Sequence, residues 1–337
     1  MSSNVIPTTP LGSHGPVVGV QGLGCMGMSE FYGETDTAEA LATLDRALEL
    51  GVTLFDTADI YGNGENEKLI GPFVRANRDQ VVLATKFAIE RRADDPTYRA
   101  VRNDAAYIRQ AVDASLSRLG VDVIDLYYMH RRNPEVPLAE SVGAMAELVQ
   151  AGKVKYLGLS EVTGAELREA HEVHPITALQ SEWSLFSRDV EHSAVRAAAD
   201  LGVAFVPYSP LGRGFLTGAF ADAGELGAGD FRQYQPRFTG DNAARNAALL
   251  TPIQKIAAAR GLTPAQVALA WVQQRAEVHG LTVVPIPGTR KRSRLEENTA
   301  ATALHLDATE LTALEPIAAQ VSGDRYPDMS STSAARE

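Results

Sequence analysis

Four side chains of complementary chemistry stand at or just beyond the ends of short apolar runs. Asp56 follows Leu54-Phe55, Lys86 follows the run from Val81, and His130 follows the run from Val123. Tyr61 comes five residues after Asp56 in a loop containing Gly62, Asn63 and Gly64. If these ends converge, Lys86 must lie beside a carboxylate, and Asp56 would hold the ammonium in place. The cation would favour the Tyr61 phenolate and lower its pKa from about 10. A tyrosine tuned in this way can donate a proton to the alkoxide forming from a carbonyl. Lys86 would alternatively suit a Schiff base, as in a barrel lyase or aldolase. Taken alone, Asp56 and Tyr61 read as a capped turn rather than a site, and nothing in the acid–base reading requires Asp59. The sequence offers no Cys/His cluster for a metal and no strand-end serine in nucleophile-elbow context.

Such a site needs a scaffold that brings several strand ends together. Eight short apolar segments, at about 17–23, 52–55, 81–84, 123–129, 154–159, 178–179, 203–207 and 281–285, are each followed by helical sequence. Helical spacing recurs at about 37–50, 65–74, 104–119, 138–150, 164–171, 190–199, 244–260, 264–274 and 308–320, with another helix starting near Lys291. Strict alternation implies parallel strands joined by right-handed crossovers. Eight units close into an α/β fold of the (β/α)8 TIM-barrel type, whose active sites lie at the carboxyl ends of the strands. Ser160, Gln180 and Tyr208 fall at the same ends. A small β-hairpin is expected before the first strand, and residues 1–337 read as one barrel domain with a C-terminal extension. Within it, 213–243 is a glycine-rich loop expected over the site, and 322–337 is a polar tail. Gly22-Leu-Gly24-Cys-Met-Gly27 has dinucleotide-fingerprint spacing, but the helix that the fingerprint requires begins only near Thr37. It reads better as a strand-end loop that lets a ligand approach the backbone.

The bulk properties narrow the function classes. The 337 residues are 45% hydrophobic and 22% charged, with net charge −11, which argues against a nucleic-acid footprint. This length admits two domains or one large barrel. Cys25 is the only cysteine, so there is no disulfide framework, and a reducing compartment fits. Residues 1–7 lack the features of a secretory leader, and no run approaches a membrane span. The expectation is a cytoplasmic protein with a small-molecule substrate and neither nucleic-acid nor membrane partners. A monomer is compatible with this reading.

Three motifs carry a family resemblance over nearly the whole chain: Gly-Leu-Gly-Cys-Met-Gly-Met at 22–28, Tyr-Gly-Asn-Gly-Glu-Asn-Glu at 61–67 and Tyr-Ser-Pro-Leu-Gly-Arg-Gly-Phe-Leu-Thr-Gly at 208–218. The chain resembles the aldo-keto reductases, most of all the branch containing YakC-type and perakine-reductase-like enzymes. Asp56, Tyr61, Lys86 and His130 match that family's catalytic tetrad in type and order. The resemblance implies NADPH-dependent reduction of an aldehyde or ketone, with Tyr61 as general acid, Lys86 and Asp56 tuning it and His130 orienting the carbonyl. It also admits a nucleotide-sensing accessory subunit of the potassium-channel β type.

The resemblance further implies an NADPH/NADP+ site. Ser160 and Gln180 match contacts to the nicotinamide carboxamide, with Glu161 where the family usually has asparagine. Tyr208 matches the aromatic under the nicotinamide ring. Ser209, Leu211 and Gly212 would follow the pyrophosphate, and Gly24, Cys25 and Met26 would contribute from the first strand end. Gly288, Thr289, Arg290, Lys291, Arg294, Glu297 and Asn298 match the adenosine-phosphate segment. Gly288 stands where related enzymes often carry lysine, so Arg290 or Lys291 is expected to meet the 2′-phosphate. Met26, Phe31, Phe87, Trp183 and parts of 213–240 are candidate pocket walls, although each would equally serve as packing.

Overall fold

Seven strands form one parallel sheet in sequential order: β1 (Leu23–Gly24), β2 (Leu54–Asp56), β3 (Val82–Phe87), β4 (Ile124–Met129), β5 (Val154–Ser160), β6 (Ala178–Glu182) and β7 (Ala204–Tyr208). The computed structural model describes residues 5–92, 94–95, 98–227 and 229–337. The leader expectation for residues 1–4, and the parts of the 90–102 and 213–243 loops at 93, 96, 97 and 228, lie outside the described residues. The eighth place is filled by 282–288, which bridges β7 at Phe205↔Val283 and β1 at Gly24↔Gly288. Backbone bonds from Val284 to Phe205, Ile286 to Pro207 and Gly22 to Pro285 complete the closure. Sequential order with both edges bridged is the barrel expected from the strand–helix alternation.

The strands are buried on both faces, which is why they read as apolar runs. Side chains alternate between faces with period two. Leu54, Ala84, Leu126, Tyr128, Ala178, Ala204 and Val206 fill the barrel interior, and Leu11 and Val18 of the N-terminal hairpin belong to the same cluster. Phe55, Leu83, Tyr127, Leu179 and Phe205 face the surrounding helices. Local caps delimit those helices. Asp36 accepts from the amides of Ala38 and Glu39, Thr163 and Thr263 close capping boxes with Glu166 and Gln266, and Gly120 and Gly280 end their helices with positive φ.

Several expected boundaries move. Val17–Gly19 pairs with Thr8–Pro10 in the hairpin, leaving β1 only Leu23–Gly24. The expected 244–260 helix is two, Gly240–Ala248 and Thr251–Arg260, with Pro252 in the first turn of the second. Ala308–Leu314 and Ile317–Gln320 are likewise parted at Pro316. The described parts of the 213–240 stretch carry several short 3-10 turns, and the 322–337 tail is docked by side-chain bonds across the top of the barrel. No helix among the described residues is long and apolar enough to cross a membrane.

Candidate active site

The period-two alternation decides which strand-end residues enter the barrel. Asp56, Lys86, His130, Gln180 and Tyr208 each lie two positions beyond an interior residue, namely Leu54, Ala84, Tyr128, Ala178 and Val206. They therefore form the top layer of the interior at the carboxyl ends of the strands. Lys86 is fully buried. Its Nζ donates to Asp56 Oδ1, to the Thr57 carbonyl at 2.7 Å and to the Tyr61 hydroxyl at 3.3 Å. The ring of Tyr61 meets His130 edge-on with centroids 6.0 Å apart. His130 Nδ1 is buried without a hydrogen-bond partner among the described residues. All four tetrad candidates thus converge on one point.

The turn after β2 delivers Tyr61, and a buried asparagine holds that turn. Asn66 accepts from Thr57 Oγ1 at 2.6 Å and donates to the Cys25 carbonyl at 2.9 Å and to Ser29 Oγ at 2.8 Å. Glu67 beside it accepts from Thr85 at 2.6 Å and from Arg118 at 2.6 Å. The Asn66 and Glu67 of the sequence motif at 61–67 therefore join β1, β2 and β3 under the site.

Electrostatics overturn one expectation. Burial raises the Tyr61 pKa, and the pull of Lys86 in the other direction does not compensate. The reason is that Asp56 already neutralises the ammonium, while the phenolate would sit in a dry site. Tyr61 is therefore a firmly protonated phenol. Burial works against the Lys86 cation, but Asp56 and then Tyr61 outweigh it and hold its pKa above the usual lysine value. Burial lifts Asp56 as well, against the attraction of Lys86. Burial, with Arg131 and Lys86 adding to it, pushes His130 well below its ordinary range, so its imidazole is neutral at neutral pH.

The cofactor candidates divide into several environments. Ser160 is buried within 3.4 Å of Arg131 Nη1. The Gln180 amide donates to Asp56 Oδ2 at 2.8 Å, so it buttresses the tetrad directly. Ser209, Leu211 and Gly212 form the turn after β7, with the Gly212 amide bonded to the Ser209 carbonyl at 2.9 Å. Gly24 and Gly288 face each other across the seam, where a Cβ on Gly288 would come within 3.2 Å of the Gly24 carbonyl. Cys25 turns its thiol into the core and lends its amide to Asp56 O at 2.8 Å; burial pushes the thiol pKa far up. Met26 and Phe31 pack against the small cluster of Ala58, Ile60 and Tyr61. Phe87 and Trp183 are fully buried core residues, stacked on Tyr127 and set against Phe205, because their positions face the helices.

The basic segment differs most from expectation. Arg290 donates to the carbonyls of Gly27, Tyr32 and Gly33 and to Thr35 Oγ1, clasping the loop after β1. It is thus committed to backbone, and Arg292 is paired with Glu39. Lys291 and Arg294 stay exposed at the start of the helix Arg292–Ala300, with no ion pair among the described residues. Thr289 accepts from the Lys291 amide at 3.2 Å, Glu297 is half-buried and Asn298 is buried.

Sequence reading gave no role to a second group of residues at the mouth. Arg131 is buried next to His130 and donates to the His130 carbonyl at 2.8 Å. Glu161, Glu182, Arg213 and Arg325 form a buried ionic cluster beside Tyr208. The adjacency of Arg131 to His130 was a local signal. Nothing local signalled Arg325.

Comparison with known proteins agrees with this geometry. The Aldo/keto reductase family profile matches residues 22–319. Among solved structures, the glycerol dehydrogenase AKR11B4 from Gluconobacter oxydans superposes with TM-score 0.82 at 26% identity, covering 97% of this chain and 99% of the other. The thermostable aldo-keto reductase Tm1743, solved with the inhibitor epalrestat, gives 0.72 at 28% identity over 93% of this chain and all of that one (100%). The aldo-keto reductase AKR11C1 from Bacillus halodurans, in its holo form, shares the fold with TM-score 0.74 at 24% identity, covering 96% of this chain and 99% of that one. With its barrel, its converging tetrad and a family match over most of its length, this chain belongs to the aldo/keto reductase family, whose members are oxidoreductases acting on carbonyl groups.

Proposed function

We propose that the protein reduces an aldehyde or ketone to the alcohol with NADPH, Tyr61 supplying the proton. The observation that carries this reading is the fully buried Lys86 ammonium held between Asp56 and the Tyr61 hydroxyl. The residues present suit a dinucleotide. Lys291 and Arg294 offer exposed cations, without an ion pair among the described residues, for the 2′-phosphate, the bare Gly24–Gly288 seam and the Ser209–Gly212 turn offer backbone, and Tyr208 and Ser160 would face the nicotinamide. When bound there, the cofactor supplies the hydride from nicotinamide C4.

Tyr61 holds the proton at its hydroxyl oxygen and releases it to the carbonyl oxygen as charge develops there. Lys86, kept cationic by Asp56, stabilises the phenolate left behind, and Gln180 restrains the far carboxylate oxygen. Neutral His130 offers a ring nitrogen for orienting the carbonyl. A Schiff-base role for Lys86 is disfavoured because the ion pair keeps its amine protonated.

Two measurements test this reading. NADPH and NADH oxidation over a panel of aromatic aldehydes, ketones and dicarbonyls should show turnover with NADPH preferred, and Arg294→Ala with Lys291→Ala should weaken NADPH by about 10- to 100-fold while sparing NADH. Tight NADPH binding with no turnover across the panel would favour the nucleotide-sensing reading instead. The pH profile is the second check. A raised Tyr61 pKa keeps the phenol protonated through neutral pH, so kcat/KM for reduction should stay flat from about pH 6 to 9 and fall only above about pH 10. Alcohol oxidation needs the phenolate and should rise over that same alkaline range. An inflection at about 6.5 would contradict the neutral, depressed His130.

A further inference from the structure

Glu161 follows Ser160 directly and has φ +51°, a left-handed conformation unusual for a residue with a Cβ. Its fully buried carboxylate accepts from Tyr208 Oη at 2.7 Å, from both Arg325 terminal nitrogens at 3.0 and 3.2 Å, from the Glu182 amide at 3.2 Å and from the Ser333 amide at 3.1 Å. Tyr208 Oη also lies 3.2 Å from the hydroxyl of Tyr326. Arg213, in the turn after β7, donates to Glu182 at 2.8 Å and to the Arg325 carbonyl at 2.7 Å, and its guanidinium lies 4.3 Å from the centre of the Tyr326 ring. Arg336 donates to the Glu161 carbonyl at 2.6 Å and to Glu166 at 2.9 Å.

The tail therefore ties together the ends of β5, β6 and β7, each of which carries a residue expected at the nicotinamide. A buried ionic cluster is weak evidence for stability, because desolvating the charges offsets much of their attraction. Its geometric effect is direct, since the hydroxyl of Tyr208 is held from two sides by groups that the tail supplies or orients. Burial would push Glu161 up, but Arg325 and Arg131 hold its pKa at about 2, so this acceptor stays charged throughout the working range.

We propose that the docked tail, acting through Arg325 and Tyr326, positions Glu161 and Tyr208 for the nicotinamide half of the cofactor, so that tail docking and nicotinamide binding are coupled. This rests on the cofactor reading above, in which Tyr208 is the nicotinamide platform. Arg325 and Tyr326 are positioning residues, because they act through Glu161 and Tyr208. Coupling is reciprocal, so nicotinamide binding must strengthen tail docking by the factor by which docking strengthens binding.

The test uses full-length wild type, Arg325→Gln, Arg325→Lys and Tyr326→Phe. Each is titrated with NADPH by fluorescence and, separately, with adenosine 2′,5′-bisphosphate, which has the 2′-phosphate but no nicotinamide. Arg325→Gln should weaken NADPH by about 10-fold while changing the bisphosphate by less than about 2-fold, and Arg325→Lys should recover part of the loss. Tyr326→Phe should shift NADPH in the same direction by a smaller factor. In the wild type, saturating NADP+ should slow amide exchange across 325–333, and the bisphosphate should not. Unchanged NADPH affinity in Arg325→Gln, or equal losses for both ligands, overturns the inference and leaves the proposed function standing. If Arg325→Gln does not fold, wild-type exchange decides, and protection unaltered by NADP+ overturns it. Wild type that binds no NADPH removes the cofactor reading and this inference with it.

Discussion

Replacing Tyr61 with phenylalanine is expected to lower kcat for carbonyl reduction by about 10²- to 10⁴-fold, the range general acids contribute, while leaving NADPH affinity within a few fold of wild type. The hydroxyl accepts only one of the three Lys86 hydrogen bonds, and the other two, to Asp56 and the Thr57 carbonyl, survive the change. The ring keeps its place in the cluster with Ala58 and Ile60, against which Met26 and Phe31 pack. Loss of the proton donor is thereby separated from loss of the fold. Single-turnover kinetics with bound NADPH, alongside a fluorescence titration, measure both quantities. Wild-type turnover in this variant would remove Tyr61 from the acid role.

Lys86→Met should be damaging in two ways. It removes the cation that stabilises the Tyr61 phenolate, with an expected loss of the same order, about 10²- to 10⁴-fold in kcat. It also leaves Asp56, 3% exposed, buried with Gln180 as its remaining side-chain partner. Breaking one side of a buried pair costs about 3–5 kcal/mol, which urea denaturation would register as a lower midpoint. Adding Asp56→Asn should recover much of that stability and none of the activity, because it removes the orphaned charge without restoring the cation. If Lys86→Met is as stable as wild type, the ion pair is not the buried, matched pair described above.

Much of the site was legible because strand ends and side-chain alternation are local. The apolar runs before Asp56, Lys86 and His130 marked the strands, and period two then sent all three residues into the barrel. Phe87 and Trp183 show the limit of that reading. Phe87 directly follows Lys86 in β3, and one step of alternation turns it toward the helices, away from any substrate. Arg290 shows another limit, since composition places a guanidinium near a phosphate but does not say whether the loop after β1 has already claimed it.

The sequence by itself determined the (β/α)8 order and the placing of Asp56, Lys86 and His130 at strand ends, since strand and helix periods follow from near neighbours in the chain, whereas closure of the barrel brought those ends together. Only the tertiary structure decided the sign of the Tyr61 shift, because desolvation depends on everything packed around the phenol and here exceeds the attraction of a cation already neutralised by Asp56. It alone decided the place of the polar tail, where Arg325 meets Glu161 across 164 positions of sequence. Periodicity carries no information over such a separation, and closure of the barrel is what brings the two charges into contact.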